Sequence, residues 1–174
     1  MHKKKLNLLG FSHESLVVFF NSIKQPKFRA TQLMKWIHQR GILDFMEMTD
    51  FSLSLRERLA NLAVIKPPIV EECLLSSGGT QKYLIKLDSG SMIEMVKIPE
   101  KKRLTLCISS QVGCALQCTF CATGAQGFER NLESFEIIGQ LWLANHYNQP
   151  SQRVSNVVFM GMGEPLLNIN PVMQ

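Results

Sequence analysis

The stretch Leu104-Thr-Leu-Cys107-Ile-Ser-Ser-Gln-Val-Gly113-Cys114-Ala-Leu-Gln-Cys118-Thr-Phe-Cys121-Ala-Thr-Gly124 joins an apolar run to a loop that holds three cysteines within eight residues. Residues 104–109 read as a β-strand, and the glycine-flanked loop follows it directly. Three thiolates at the spacing C-x3-C-x2-C can hold only three irons of a four-iron cluster, so one iron is left for a non-protein ligand. Zinc also accepts closely spaced cysteines, but it wants four ligands. The next candidate, His146, falls in a predicted helix away from the loop. Unligated core cysteines are the third reading, and three thiols in one glycine-flanked loop suit a packed core poorly. The iron–sulfur reading for Cys114, Cys118 and Cys121 fits best.

Downstream, Ser134 can cap a helix whose Ile137, Ile138, Leu141 and Trp142 face a core. Residues 154–160 are nearly all apolar, as expected of a parallel strand covered on both faces. The order strand, loop, helix, strand opens an α/β barrel or open sheet, whose ligands gather beyond the carboxyl ends of the strands. Gly161-Met-Gly163-Glu164-Pro165 lies just there. Its glycines permit close backbone approach to a ligand, and Glu164 offers a carboxylate to a cationic amine; the plain alternative is an ordinary strand terminator.

Upstream, residues 69–75, 83–87 and 91–98 are short runs divided by Ser-Ser-Gly-Gly at 76–79 and Asp-Ser-Gly at 88–90, the pattern of an antiparallel meander. Residues 12–65 have a helical period. Leu16, Phe19, Phe20 and Ile23 form one stripe ahead of Pro26. Leu33, Trp36 and Ile37 form a second, ended by Gly41, and Phe28 and Trp36 take core positions. Ser54-Leu-Arg-Glu57 has the capping-box pattern, with Leu55, Leu59 and Leu62 on one side. The expected organisation is a helical unit over 1–66, a β linker over 67–99 and the start of a core domain over 100–174.

Composition limits the function classes. The chain has 174 residues, 45% hydrophobic, a formal net charge of +5 and a pI near 9.0. No apolar run approaches the roughly 18–20 residues of a membrane span. The apolar run after the basic start is cut by Ser12, His13 and Glu14, so no export signal is read. Clustered cysteines in a chain kept in a reducing, cytoplasmic compartment favour metal binding over disulfides. The positive charge favours an anionic partner. Lys3 to Lys5, Lys24, Lys27, Arg29, Lys35 and Arg40 give the helical unit a candidate RNA-facing surface, though a charge run is more often a solvated face.

Residues 106–128, with Arg130-Asn-Leu, the 136–140 run Glu-Ile-Ile-Gly-Gln, the 92–100 run Met-Ile-Glu-Met-Val-Lys-Ile-Pro-Glu, Phe28-Arg-Ala-x-Gln32 and Gly-Met-Gly-Glu-Pro-Leu166, closely resemble the RlmN/Cfr family of radical S-adenosylmethionine (SAM) RNA methyltransferases. The resemblance implies a 4Fe-4S cluster on Cys114, Cys118 and Cys121, with SAM on its open iron and the SAM amino group at Gly163 and Glu164. It implies methylation of adenine carbon 2 in 23S rRNA and tRNA, a flavodoxin-like electron donor and a monomeric full-length protein. Glu94 matches the family's base for the carbon-2 proton, for which a desolvated carboxylate of raised pKa is suited; by pattern alone it could equally be a solvent-facing edge residue. Cys107 matches the cysteine that resolves a protein–RNA intermediate by forming a disulfide; by environment alone it would be a small core residue. Cys73 has no counterpart and is read as structural, and Phe120 either packs beside the SAM adenine or anchors the loop.

The family's mechanism needs one more, late cysteine that accepts a methyl group, and this chain has none. The expected fold is therefore α/β, a truncated partial radical-SAM (β/α) barrel after the helical domain and the meander, since two parallel strands cannot close a barrel. The chain alone is expected not to methylate. The alternatives are a catalytically inactive iron–sulfur or RNA-binding fragment and, from a different class, a zinc-bound interaction module.

Overall fold

The computed structural model describes residues 5–116, 118–148 and 152–174. It divides into two compact units, Met1–Lys66 and Pro67–Gln174.

In the first unit, strand β1 (Leu6–Asn7) pairs in parallel with β2 (Ala63–Val64) and so ties the unit's two ends together. Between them run helices α1 (His13–Ser22), α2 (Phe28–Met34) and α3 (Leu53–Leu62). Ser12 caps α1 by accepting the Ser15 N–H, and Leu16, Phe19, Phe20 and Ile23 are buried, as their spacing predicts. A wider π turn, Lys35–Gln39, continues α2 until Gly41 turns the chain with φ +71°. Three sequence expectations change. Ser52, not Ser54, caps α3, because its extended backbone lets its side chain accept the Leu55 N–H. Leu62, at that helix's end, is 41% exposed. Phe28 is also outside the core: it precedes Leu33 by five residues, about 140° around the helix from the buried stripe, and it lies beneath the Arg29 guanidinium, 4.9 Å from the ring centroid. Trp36 is buried as expected, with Arg40 stacked 3.9 Å over its ring.

The second unit is a five-stranded sheet in the order β3-β4-β5-β6-β9. Strands β3 (Ile69–Leu75), β4 (Gln81–Lys86) and β5 (Met92–Pro99) form the predicted meander. Its turns use Gly79 and Gly90 at φ +84° and +88°, where a side chain would be strained. Far from being a separate linker, the meander pairs through β5 with β6 (Leu104–Cys107) in one sheet. Strand β9 (Asn156–Val158) then adds in parallel to β6. The crossover between them holds a ribbon of β7 (Gln111–Gly113) and β8 (Phe128–Asn131), the short helix α4 (Ala122–Ala125) and helix α5 (Ser134–His146). Helix α6 (Ile169–Met173) follows β9.

Alternation along the strands gives the sheet two different faces. Tyr83, Ile85, Ile93, Met95, Leu106 and Ile108 pack against Ile137, Leu143 and Ala144 of α5 to form the core. Leu84, Glu94, Val96 and Cys107 belong to the opposite face by register. Strand β9 is shorter than the 154–160 run and is not covered on both faces: it pairs only with β6 among the described residues, with Val157 41% and Met160 80% exposed.

The start of α5 also departs from expectation. Glu133, not Ser134, is the cap, in a capping box with Glu136. Glu136 is buried, and both its oxygens accept from Arg130 at 2.8 Å while one also accepts the Glu133 N–H at 2.9 Å. This pairing raises the Arg130 pKa. It also turns the helix by one position, so that Glu136, Gly139, Gln140, Leu143 and Ala144 face inward with Ile137, while Ile138, Leu141 and Trp142 are half-buried. Glu136→Ala removes the cap and strands a partly buried guanidinium; urea unfolding should show a loss of about 2–4 kcal/mol.

Candidate active site

The carboxyl end of β6 leads straight into a backbone clasp. Ile108 N–H donates to Val158 O at 2.9 Å, Gly161 N–H to Ile108 O at 3.0 Å, and the N–H groups of Ser110 and Gln111 to Met162 O at 2.8 and 3.2 Å. Side chains reinforce it. Ser109 Oγ accepts the Met162 N–H at 2.8 Å and donates to the Glu94 carbonyl at 2.6 Å. Gln140 closes a two-way pair with the Ser109 backbone, accepting its N–H at 2.8 Å and donating to its carbonyl at 2.9 Å. Gln111 accepts the Glu164 N–H at 3.0 Å and donates to Asn131 at 2.8 Å. Asn168 donates to the carbonyls of Ser110 and Leu132 at 2.8 and 2.9 Å. Ser109, Ser110, Gln111, Gln140 and Asn168 are buried, and apart from the Ser110 hydroxyl their side chains are engaged in these bonds.

The clasp explains the glycines differently from the sequence. A Cβ on Gly161 would lie 2.7 Å from Ile108 O, and one on Gly163, at φ +93°, would lie 2.4 Å from Gln111 Cβ. Both residues are glycine so that the 161–164 turn can lie against 108–111. Gly113 does the same for the cysteine loop, where a Cβ would run into the Gly127 carbonyl.

Glu94 and Cys107 share the face opposite α5: Val96 is paired with Cys107, and Glu94 is two residues along from Val96. Glu94 is not desolvated. Its side chain is 43% exposed and its carboxylate is bridged to Lys82 Nζ at 2.8 Å, because Lys82 and Glu94 sit on the same face of neighbouring strands. Cys107 is half-buried; burial pushes its thiol pKa up, partly offset by the Met160 backbone. All five cysteines are free thiols. Glu164 is half-buried, and one carboxylate oxygen accepts the Leu166 N–H at 3.1 Å to start the turn Pro165–Asn168. A cavity of about 340 Å³ lies where Met162 of this clasp meets the β7–β8 ribbon, lined by Met92, Val112, Gly127, Phe128 and Met162 among others.

Within the cysteine loop, Cys114 and Cys121 are half-buried and Cys118 is exposed. The backbone N–H groups of Gly124 and Thr123 lower the Cys121 pKa, and the Leu116 N–H donates to Cys114 Sγ at 3.4 Å. Amides directed at sulfur favour thiolates, so this donor set fits an iron–sulfur cluster. Among the described residues no three His, Cys, Asp or Glu side chains are gathered as a single ion would require. A cluster places each thiolate on a different iron and does not need that arrangement.

The sequence profile described as ribosomal RNA large subunit methyltransferase N-terminal domain matches residues 6–65. The dual-specificity RNA methyltransferase RlmN of Marinomonas sp. is 52% identical over 97% of this chain and 47% of its own length. That of Saccharophagus degradans is 51% identical over 97% of this chain and 44% of its own. A solved radical SAM methyltransferase from Sphaerobacter thermophilus superposes with a TM-score of 0.87 at 32% identity, over 97% of this chain and 50% of that one. This chain belongs to the RlmN family. It spans about half the length of the curated relatives it matches, and its mixed α/β fold is that of a radical SAM methyltransferase. These likenesses do not favour the reading as an inactive remnant.

For this RlmN-family chain, the structure separates the remaining sequence candidates. Phe120 is 92% exposed and anchors nothing among the described residues. Cys73 is exposed on β3 rather than packed. Of the basic residues in the first unit, Lys24, Lys27, Lys35 and Arg40 are exposed. Arg29 is held by Gln32 and by the Asp50 carbonyl, both at 2.8 Å, and Lys5 donates to the Ala60 carbonyl at 2.6 Å. Lys3 and Lys4 lie outside the described residues. No helix among the described residues is long and apolar enough to cross a membrane. Sequence reading missed Ser109, Gln111, Gln140 and Asn168; the one signal was the polar run 109–111 directly after an apolar strand. In the metal-free chain, iodoacetamide should modify Cys121 well before Cys107, and the Cys107 rate should keep rising at higher pH, where its raised pKa is passed; mass spectrometry of labelled peptides reads both.

Proposed function

We propose that the chain is the cluster- and SAM-binding part of a radical SAM methyltransferase, a partial (β/α) barrel that acts in the whole protein on adenine carbon 2 of 23S rRNA and tRNA. The single observation that supports this is the clasp, in which the Gln111 side-chain oxygen accepts both the Glu164 N–H at 3.0 Å and, inside the cysteine loop, the Ala115 N–H at 3.4 Å. Bound there, the cluster and SAM would supply a carbon-centred radical after one electron from a flavodoxin-like donor.

The chain's own residues would do the rest. Glu164, with one oxygen committed to its turn, has the other for the SAM ammonium, and Gly163 lets the turn approach closely. Glu94 would take the adenine carbon-2 proton. Its bridge to Lys82 holds the carboxylate on this face, and the arriving adenine would displace water from the exposed part of its side chain. Cys107, on the same face, would resolve the protein–RNA bond by forming a transient disulfide with a methyl-carrying cysteine. That cysteine is not one of the five here, so methyl transfer is proposed for the whole protein. The profile match and the exposed lysines of the first unit support an RNA-facing role for that unit, and the clustered thiols support a cytoplasmic setting.

The test is reconstitution of the chain with iron and sulfide under anaerobic conditions. After reduction with dithionite, a four-iron electron paramagnetic resonance signal should appear and change on adding SAM, and Cys118→Ala should abolish it. Glu164→Gln should keep the cluster and weaken SAM binding by about tenfold, as expected for losing one charge-assisted hydrogen bond. Unchanged SAM affinity would remove Glu164 from the site.

A further inference from the structure

The helix-covered face of the second unit contains another cavity, also of about 340 Å³, near the amino end of β6 at Leu104, whereas the cysteine loop leaves the carboxyl end of that strand. Lys97 lines it. Register places Lys97 opposite Gln81 on β4 and Leu106 on β6. It therefore points to the face opposite Glu94 and Cys107, and only 6% of it is exposed.

The stem of Lys97 is packed away while its ammonium is left to the cavity, where water or a bound anion must supply its acceptors. Among the described residues no carboxylate lines the cavity, and no hydrogen bond or ion pair reaches Lys97 Nζ. The other ionisable groups in the described lining are the Cys73 thiol and two phenols, Tyr83 and Tyr147. Burial also pushes the Tyr83 pKa up, so that this group stays neutral and offers no counter-charge. Burial likewise pushes the Lys97 pKa down, partly opposed by the neighbouring Cys73.

The rest of the lining is suited to supply what a bound anion would need. Tyr83 donates its hydroxyl to the Gln81 side-chain oxygen at 3.0 Å, leaving the Gln81 amide nitrogen as a donor. Tyr83 and Tyr147 meet edge to face with centroids 6.3 Å apart and with Leu104 form one apolar wall, while Gln81, Asn148 and Gln152 make the rest of the lining polar. A single cation with one aromatic and aliphatic wall matches one negative charge on a small body that has a hydrocarbon side. A phosphate dianion would call for a second cation, and none is among the described residues of the lining. We propose that this cavity binds a small organic monocarboxylate, its carboxylate on Lys97 and its hydrocarbon part against Tyr83, Tyr147 and Leu104.

Benzoate is the probe, with inorganic phosphate at equal ionic strength as the comparison, on the full 174-residue chain. Benzoate should raise the thermal unfolding midpoint saturably in the unsubstituted chain and leave Lys97→Met unmoved. Lys97→Met keeps the volume while removing the buried charge, so its own midpoint should equal or exceed that of the unsubstituted chain. Independently of any variant, benzoate should shift amide resonances around Tyr83, Lys97 and Tyr147. Absence of a shift, equal stabilisation of both chains, resonance changes only elsewhere, or stabilisation by phosphate in place of benzoate would each overturn the proposal.

Discussion

Everything in the second unit turns on the close approach of the 161–164 turn to residues 108–111. Parallel strands β6 and β9 are short, and three- or four-residue pairing is weak by itself. The ladder is prolonged beyond the strands by alternating backbone bonds and then by Ser109, Gln111 and Asn168. Two missing side chains make this possible, since a Cβ at either Gly161 or Gly163 would fall inside contact distance. Buried hydroxyl and amide groups are costly unless paired, and once paired in a closed network they admit essentially one arrangement. The loop that carries the thiols and the turn that carries Glu164 are thus fixed by one set of bonds.

How much of this was legible in the sequence depends on how local each cause is. The stripes of α1, the strands of the meander and the glycine stops depend on neighbouring residues, and they stand where the pattern placed them. Failures cluster where distant groups decide. Ser134 has the side chain of a cap, but Arg130 holds Glu136, and the reciprocal bonds of Glu133 and Glu136 set the helix start instead. Residues 154–160 look like a doubly covered strand because they are apolar, yet edge position is a property of the sheet and leaves no local mark.

The candidate site divides in the same way. Cysteine spacing and Gly-x-Gly-Glu are visible as motifs because the chemistry demands particular residue types at fixed separations. The family resemblance pointed to Glu94 and Cys107, and only register shows that they share a face. The salt bridge of Glu94 with Lys82 could not be read from β5 at all, since it depends on which residue of β4 lies diagonally across. Buried polar residues such as Gln140 were the least visible, because a glutamine on a helix is ordinarily a surface residue.

The two-faced sheet carries a consequence for how errors in this chain would show. Along β5, neighbours alternate between core and open face: Ile93, Met95 and Lys97 one way, Glu94 and Val96 the other. Losing one residue between Gly90 and Glu94 would put the carboxylate into the hydrocarbon and the methionine outside. The tight Gly90 hairpin therefore works as a counting device. It makes a frame error of one position in the ladder a folding failure, and so prevents a folded protein with its acid on the wrong side.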